Sequence, residues 1–395
     1  MKIVHIAPNA PYNENWGYQE NLLPKYQKRL GHDVTLIITN TMHQDGKIVE
    51  TDCTDYVSED GVRIVRLEYK KSVHRKLTTL FAKLDVLPYL EDIKPDFIFF
   101  HGLVSNTIFD VVHYKKKINP KCVIVQDNHL DYYNGGVPVT FRSKCVRSFY
   151  RAIAAVSGKH IAKYYGVTPW RKTFAQDYFK VPESKIDVLI MGADDDAIDF
   201  ENRDVLRQRV RAQYNVGQDD FLIVTGGKID GRKKIDVLME ACSGMDGIKL
   251  LVFGNVSEEL KPAFDRLVAE NPNISFLGWV DARDVYQYFF AADLIAFPGS
   301  HSVLWEQACA AKVPCLFRRF EGMDHVDNGG NSEFIDEISV DSLRTKINEL
   351  KFTEKYERMK TIALSEKTDV YLYSRIAEKS LETMYEDRNL SENTK

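Results

Sequence analysis

Short apolar runs recur along the first half of the chain, each followed by a loop and a segment with helical spacing. These runs are KIVHIA, DVTLIIT, DFIFFHG, CVIVQD, IAAVS and IDVLIMG. The second half repeats the alternation with DFLIVTGG, IKLLVFG, ISFLGWV, LIAFPGS and VPCLFRR. Continuous apolar runs are typical of strands buried on both faces, and strands that alternate with helices form parallel sheets. The pattern therefore predicts an α/β protein with two doubly wound parallel sheets.

A polar, acidic stretch at 192–204 separates the two series of strands, and 395 residues exceed what one core usually serves. We predict an N-terminal domain over 1–194 and a C-terminal domain over 195–368. The segment 369–387 is predicted to be an amphipathic helix on a domain face. Its apolar residues are Tyr373, Ile376, Ala377, Leu381, Met384 and Tyr385. Ligands of such sheets bind at the carboxyl ends of the strands, so we expect a cleft between the domains.

Composition limits the kinds of binding partner and the cellular location that we expect. The net charge of -4 lacks the basic excess of nucleic-acid-binding proteins, so no nucleic acid partner is expected. Six cysteines without CxxC or zinc spacing favour reduced thiols and a cytoplasmic location. No run reaches the length of a membrane-spanning helix. The basic segments 70–76 and 115–117 could hold the protein at the inner face of a membrane, although such runs are more often solvated surface.

The segment TGGKIDGRKKIDVLMEA (225–241) joins a predicted strand to a helix through two glycines and four cations. Gly227 would let the backbone approach a ligand closely, and Lys228 and Lys233 would attract a diphosphate. The alternative is a solvated, charged loop. The segment is not a P-loop, because GxxxxGK[ST] is absent, and no strand-linked GxGxxG supports a dinucleotide site.

The segment GSHSVLWEQACAAKVP (299–314) predicts a buried helix whose polar residues are Glu306 and Gln307. A buried carboxylate must find partners, which could be the vicinal hydroxyls of a ribose or a buried cation. Ser300, Ser302 and Val303 precede the helix, where backbone N–H groups suit phosphate, and Ser302 is predicted to be the N-cap.

Candidates in the first half follow predicted strands. His101 follows DFIFF, while Asp127 and His129 follow CVIVQ. Histidines at strand ends that face a cleft are candidates for catalysis, although a lone histidine is more often structural. Gly17, in the turn before a helix, could bring the backbone close to a ligand or be an ordinary turn glycine.

The order of these segments resembles the retaining glycosyltransferases of family 4, which have the GT-B fold of two facing Rossmann-like domains. The resemblance covers nearly the whole chain. Its N-terminal phrases are NWGYQENLLPKYQKRLGHDVTLI, AAVSGKHIAKYYGV and KIDVLIMGADDDAIDF. Its C-terminal phrases are GGKIDGRKKIDVLMEA, ISFLGWVDARDVYQYFFAADLIAFPGS and YLYSRIAEKSLETMY. The last of these resembles the helix that crosses back to the N-terminal domain.

The resemblance implies that the C-terminal domain holds a nucleotide-sugar donor and the N-terminal domain an acceptor. Lys228 and Lys233 would grip the diphosphate, and the base would lie near Trp279 and Val280. Two glutamates separated by seven residues are usual in the family, the first at the donor sugar and the second at the ribose.

This sequence departs from that pair of glutamates. Either Glu306 or Gln307 takes the place of the second glutamate, and we favour Glu306 for the ribose because it is charged. Neither register leaves a glutamate in the first place, since Pro298 or Gly299 falls there. We therefore add His301, which stands beside it, to the catalytic candidates.

The resemblance implies a retaining, metal-independent hexosyltransferase of bacterial polysaccharide biosynthesis, with a UDP- or GDP-sugar as co-substrate and no further cofactor. Its acceptor would be a glycan, a lipid-linked sugar or another envelope polysaccharide. The lysines and the N–H groups of residues 300–303 would meet the charge of the leaving diphosphate. The missing glutamate leaves a catalytically inactive binding or chaperone subunit as one alternative. A sugar-nucleotide epimerase of the same fold is the other.

Overall fold

A computed structural model describes residues 1–9, 11–14, 16–44, 47–70, 82–133 and 140–385. The chain forms two compact units, Met1–Ile190 with Ser374–Lys395 and Met191–Tyr373. The sequence placed the two changes of domain at 194/195 and at 368/369. Of the basic segment 70–76, all but Lys70 lies outside the described residues.

The first unit is built on an eight-stranded sheet of order β10-β9-β8-β7-β1-β2-β6-β5, in which only the edge strand β5 is antiparallel to its neighbour. Strands β3 and β4 form a separate hairpin. The strands are β1 Lys2–Ala7, β2 Asp33–Thr39, β3 Thr41–Gln44, β4 Lys47–Glu50, β5 Asp55–Val57, β6 Arg63–Leu67, β7 Phe97–Phe100, β8 Val123–Asn128, β9 Lys163–Gly166 and β10 Ile186–Val188. The helices described between them are α1 Gln19–Arg29, α2 Leu87–Ile93, α3 Ile108–Lys117, α4 Phe141–Ser157 and α5 Pro169–Phe179.

The second unit is a parallel sheet of order β13-β12-β11-β14-β15-β16. Its strands are β11 Phe221–Ile229, β12 Ile248–Val256, β13 Ile274–Phe276, β14 Leu294–Phe297, β15 Cys315–Arg318 and β16 Ser332–Ile335. Its helices are α6 Arg203–Gln213, α7 Ile235–Cys242, α8 Lys261–Glu270, α9 Val285–Ala291, α10 Leu304–Ala310, α11 Val340–Leu350 and α12 Glu354–Ala363. The strand order reverses between β11 and β14, as it does in a Rossmann fold.

The apolar runs become central strands because each unit covers both faces of its sheet. The interior residues of β1, β7 and β14 are buried, as is the first part of β11 up to Gly226, and each unit has its own apolar core. The predicted α/β class with parallel sheets is confirmed. Among the described residues, no helix combines the length and the apolar character needed to span a membrane.

One predicted strand is wrong. IAAVS forms the end of α4, which begins at a capping box in which the Thr140 hydroxyl accepts from the backbone N–H of Ser143 at 3.2 Å. An apolar run of five residues fits a strand and a buried helix turn equally well, so the preceding residues decide.

The C-terminal segment belongs to the first unit. After a 3₁₀ turn at Glu366–Tyr371, helix α13 spans Tyr373–Ser380. The Gln27 amide donates to the Ser380 hydroxyl at 2.9 Å, and the hydroxyls of Tyr165 and Thr383 lie 3.1 Å apart. These bonds fasten the segment to elements that lie some 200 residues or more earlier in the chain.

Candidate functional site

The carboxyl edge of the second sheet collects the predicted donor-binding residues. Gly227 and Lys228 lie near the carboxyl end of β11. Gly299 and Ser300 lie in the loop that follows β14. These strands flank the point where the strand order reverses, which is where open α/β sheets bind ligands. Two segments that the sequence assigned to a diphosphate therefore meet at one place in the fold.

Lys233 joins these two segments. Its ammonium group donates to the carbonyl oxygens of Ser300 at 2.7 Å and His301 at 3.1 Å. Burial lowers the pKa of Lys233 to about 8. Gly299 permits this packing, because a Cβ at its position would lie 2.2 Å from the carbonyl oxygen of Lys233. The loop after β14 is thus held by the lysine that was predicted to bind a phosphate.

Lys228 is exposed, and its ammonium group lies 3.9 Å from the carboxylate of Asp230. Asp230 pairs more closely with Arg232 at 2.9 Å, and this contact outweighs burial and lowers the pKa of Asp230. Gly227 has a φ of +104°, a conformation that favours glycine. Lys228 is therefore placed to reach a ligand from the solvent side.

Two expectations for the loop after β14 are wrong. The N–H of Ser300 donates to the carbonyl of Arg232 at 3.0 Å, so it is not directed at a ligand. Ser302 does not cap the helix with its side chain: α10 begins at Leu304, Val303 occupies the N-cap, and no side-chain cap bond is made. The Ser302 carbonyl instead accepts from the N–H of Trp305 at 3.0 Å, because the chain is already turning there.

Glu306 is completely buried and faces two imidazoles. Its Oε1 atom accepts from Nε2 of His301 and from Nε2 of His325, both at 2.8 Å. Burial raises the pKa of Glu306, but the two imidazoles outweigh it and lower the value to about 2. Its Oε2 atom is buried without a hydrogen-bond partner among the described residues. Gln307 is also buried, so its side chain is not solvated. The ribose assignments of Glu306 and Gln307 stay predictions.

The predicted base site lies toward the other end of the same edge. Trp279 and Val280 follow β13, and the indole of Trp279 is 66% exposed. The N–H of Gly254 donates to the carbonyl of Gly278 at 2.7 Å, which fixes this loop beside the end of β12. A large exposed aromatic ring at a sheet edge is suited to stacking on a base.

A second cluster occupies the carboxyl edge of the first sheet, between β1 and β7, where that sheet's order also reverses. A cavity of about 240 Å³ lies there. Its lining comprises Ala7, Asn9, Glu20, His101, Gly102, Leu103, Val104, His129 and Leu130. His101 and His129, which the sequence placed at neighbouring strand ends, thus share one cavity.

Asp127 is buried behind this cavity and contacts both of its histidines. Its Oδ2 atom accepts from Nδ1 of His101 at 2.9 Å and lies 3.2 Å from Nε2 of His129, while Oδ1 accepts from the N–H of Gly102 at 2.7 Å. Burial alone raises the pKa of Asp127, but the histidines reverse this and hold it well below its usual value. For His129, burial lowers the pKa and Asp127 raises it, and the increase prevails.

Two further buried residues, His5 and Gln27, are linked to His101 by side-chain hydrogen bonds, and the sequence did not predict them as part of the site. Nε2 of His101 lies 3.1 Å from Nδ1 of His5, and Nε2 of His5 lies 2.7 Å from Oε1 of Gln27. His5 left a signal in the sequence, since it interrupts the apolar strand KIVHIA. Gln27 and His325 left none, because their partners are distant in the chain.

Two groups of described residues bring three possible metal-ligand atoms within 4.8 Å of one another, Glu20 with His101 and His129, and His301 with Glu306 and His325. In the first, both ring nitrogens of His101 already have partners. In the second, both imidazoles direct Nε2 at one oxygen of Glu306. A metal ion at either place would have to displace these hydrogen bonds, and we assign neither cluster to a metal.

Gly17 lies in the loop before α1, and a Cβ at its position would meet nothing within 4 Å. Its φ is not in the region that favours glycine. The structure thus gives no steric reason for glycine there, and the role of Gly17 beside a phosphate stays a prediction.

Residues 220–351 match the family model of Glycosyl transferases group 1. The match runs from β11 through α11 and contains the cationic segment, the loop after β14 and Glu306. No curated protein matches the sequence.

Solved structures are similar over nearly the whole chain. A glycosyltransferase from Rickettsia africae has a TM-score of 0.69 at 16% identity, with 98% of each chain covered. Sucrose-phosphate synthase from Thermosynechococcus elongatus has a TM-score of 0.67 at 15% identity, with 99% of each covered. HepE from Anabaena, solved with UDP, has a TM-score of 0.66 at 16% identity, with 98% of this chain and 100% of that chain covered. The likeness shows the fold, and the predicted pair of Rossmann-like domains of the GT-B class is confirmed.

Proposed function

We propose that the protein is a retaining glycosyltransferase that moves a hexose from a nucleotide-diphosphate sugar to a glycan, lipid-linked or other envelope polysaccharide acceptor. The observation that carries this proposal is the position of Lys233, whose ammonium group binds the loop after β14 at the reversal of the second sheet. The match to Glycosyl transferases group 1 contains this site. HepE, with the same fold, binds UDP and UDP-glucose, which favours a UDP-sugar as the donor.

The donor would lie along the carboxyl edge of the second sheet. Its base would stack near Trp279 and Val280, and its diphosphate would meet Lys228 and Lys233. Negative charge grows on the diphosphate as the glycosidic bond breaks, and fixed cations stabilise that charge in the transition state. The two lysines supply this stabilisation, so the chemistry does not require a metal ion.

The acceptor would enter the cavity of the first unit. His129, held by Asp127, would position the reacting groups there. His301 would contact the donor sugar in place of the family's first glutamate, with Glu306 fixing its imidazole. Retention without a carboxylate nucleophile would follow from attack on the face that the diphosphate leaves, with a phosphate oxygen taking the acceptor proton. The basic segments 70–76 and 115–117 would bring the enzyme to a membrane-bound acceptor.

The direct test is to incubate the purified protein with UDP-, GDP- and other nucleotide sugars and to follow the products by chromatography. Transfer, or slow hydrolysis of one donor with release of the nucleoside diphosphate, is expected. Binding without turnover would favour a non-catalytic subunit, and an epimerised nucleotide sugar would favour an epimerase. If no donor binds, the proposal is wrong.

Replacing the cations separates donor binding from folding. Lys228→Ala should weaken donor affinity about 10-fold or more without lowering the melting temperature, because this side chain is exposed and contributes little to packing. Lys233→Ala should weaken it further, since it also releases the loop at Ser300. Calorimetric titration measures both affinities, with Lys261→Ala, an exposed lysine of the same unit, as the matched control. Equal affinity in all three variants would remove the diphosphate assignment.

A further inference from the structure

A continuous row of buried hydrogen bonds runs from the cavity of the first unit to helix α13. It passes from His129 through Asp127, His101, His5 and Gln27 to Ser380, and all of these except His129 are buried. Each bond needs one hydrogen between its two atoms. If these hydrogens are assigned one bond at a time, starting from Ser380, the assignment shows which ring nitrogens of His5 and His101 carry a hydrogen.

The count begins at Ser380. Its hydroxyl lies 2.6 Å from the carbonyl of Ala377, which can only accept, so the hydroxyl hydrogen is used there. Ser380 must then accept from the NH₂ group of Gln27 at 2.9 Å. This turns the Gln27 carbonyl oxygen toward His5, 2.7 Å from its Nε2 atom. Nε2 of His5 therefore carries a hydrogen.

The reverse orientation of the Gln27 amide loses a hydrogen bond. Its oxygen would have to accept from Ser380, and the hydroxyl hydrogen would leave Ala377. Two oxygen atoms would then lie 2.6 Å apart with no hydrogen between them. In a buried site an unsatisfied acceptor of this kind is costly. The orientation in the structure is therefore the stable one.

A neutral His5 with its hydrogen on Nε2 must accept at Nδ1, so Nε2 of His101 donates to it across 3.1 Å. An ionised carboxylate can only accept, so Nδ1 of His101, which lies 2.9 Å from Oδ2 of Asp127, donates as well. His101 thus carries hydrogens on both nitrogens. The positive charge sits beside Asp127 rather than on His5, because Asp127 is the only carboxylate in the row and a buried charge is stable only when it is paired.

We propose that His101 is an imidazolium ion at neutral pH, and that His5, Gln27 and Ser380 are positioning residues that hold its second proton. The pKa of His5, which burial and His101 lower to about 3, agrees with a neutral His5 in this row. Asp127 is ionised in this row, because it accepts from the N–H of Gly102, and the two imidazoles hold its pKa well below the usual value despite burial.

The charge on His101 affects the protonation of His129. The role of His129 in the reaction rests on the proposed function. Two imidazoles compete for Asp127, and His101 is closer, at 2.9 Å against 3.2 Å, and more deeply buried. His101 would therefore offset much of the charge of Asp127 and make His129 easier to deprotonate when an acceptor hydroxyl binds. The other charged groups that act on His129 are Glu20, which favours its protonation, and Arg171, which opposes it.

The test uses the full-length chain labelled with ¹⁵N-histidine. Long-range ¹H–¹⁵N correlation spectra distinguish an imidazolium from either neutral tautomer, and loss of a signal in His101→Asn assigns it. His101 is expected to be doubly protonated at pH 7. Ser380→Ala frees Gln27 to turn over, so His101 should lose the hydrogen on Nε2 and give the signals of a single neutral tautomer at pH 7, although the change is three hydrogen bonds away.

Two further variants separate this effect from general destabilisation. Ser380→Thr keeps the hydroxyl, so His101 should remain doubly protonated at pH 7, as in the wild type. Thr383→Val removes a hydroxyl from the same segment that bonds to Tyr165 instead, and it should leave His101 unchanged. A neutral His101 in the wild type at pH 7, or a doubly protonated His101 in Ser380→Ala, would overturn the assignment of the proton.

The pH dependence of donor turnover tests the consequence for His129. Loss of the charge on His101 leaves Asp127 to raise the pKa of His129, so the acid limb of the profile should move to higher pH in Ser380→Ala. An unmoved limb, with the spectra as expected, would overturn the positioning role and leave the imidazolium in place. If the wild type turns over no donor, the proposed function fails, while the spectra still decide the state of His101.

Discussion

The carboxylate of Glu306 has no access to solvent, and a buried charge of this kind must be matched by nearby donors or cations. His301 and His325 supply two donors to one of its oxygens. The sequence predicts the need for a partner, because Glu306 interrupts an apolar helix. It cannot identify His325, since the loop that carries it reaches Glu306 only after β15 has paired with β14.

Glu306→Gln should destabilise the protein by about 2–3 kcal/mol at pH 5 and above. The folded-state pKa of Glu306 is lowered to about 2 from 4.5, so its stabilising effect is present above pH 4.5 and is lost as the pH falls toward 2. The difference in unfolding free energy between variant and wild type should therefore shrink over that interval.

Urea denaturation at a series of pH values measures this difference. Glu354→Gln is the control, because the Glu354 side chain is 93% exposed and should show little effect at any pH. A difference for Glu306→Gln that stays constant between pH 5 and pH 2 would show that the histidines do not depress its pKa.

Among the elements, the two places where strand order reverses determine which side chains share a site. The sequence predicts most of the central strands, because their apolar runs are continuous, and it therefore predicts which loops lie at the carboxyl edges. It mistakes IAAVS for a strand, because a run of five residues is also compatible with a helix. It also gives no sign that Lys233 binds loop carbonyls, since that contact depends on the pairing of β11 with β14.

Gly299→Ala tests the packing of these two loops. The added Cβ would lie 2.2 Å from the carbonyl oxygen of Lys233, so one backbone segment must move, at a cost of about 1–3 kcal/mol. Gly231→Ala is the matched control, because its Cβ would meet nothing within 4 Å. Thermal unfolding should show a lower melting temperature for Gly299→Ala alone. Equal melting temperatures would mean that the loops are not packed as the structure has them.

At the scale of the whole molecule, the chain leaves the first unit after Ile190 and returns to it at Ser374. The returning segment buries Ile376, Leu381 and Met384, and its Ser380 ends the hydrogen-bonded row that begins at the cavity. The amphipathic spacing predicted a helix on a domain face, and the resemblance pointed to the N-terminal domain. The hydrogen bonds to Gln27 and Tyr165 depend on tertiary packing, which spacing does not reveal.

Leu381→Ala should therefore weaken the first unit, although the whole second unit separates Leu381 from the rest of the first along the chain. Leu381 is fully buried, and such a truncation costs about 2–5 kcal/mol. Because each unit has its own core, the loss should appear as faster hydrogen exchange in β1 and β2 and not in β11 and β12. Leu238→Ala, at an equally buried position of the second unit, should give the reverse pattern when peptides are followed by mass spectrometry. Faster exchange in both units for either variant would contradict two separate cores and would mean that the two units unfold as one cooperative body.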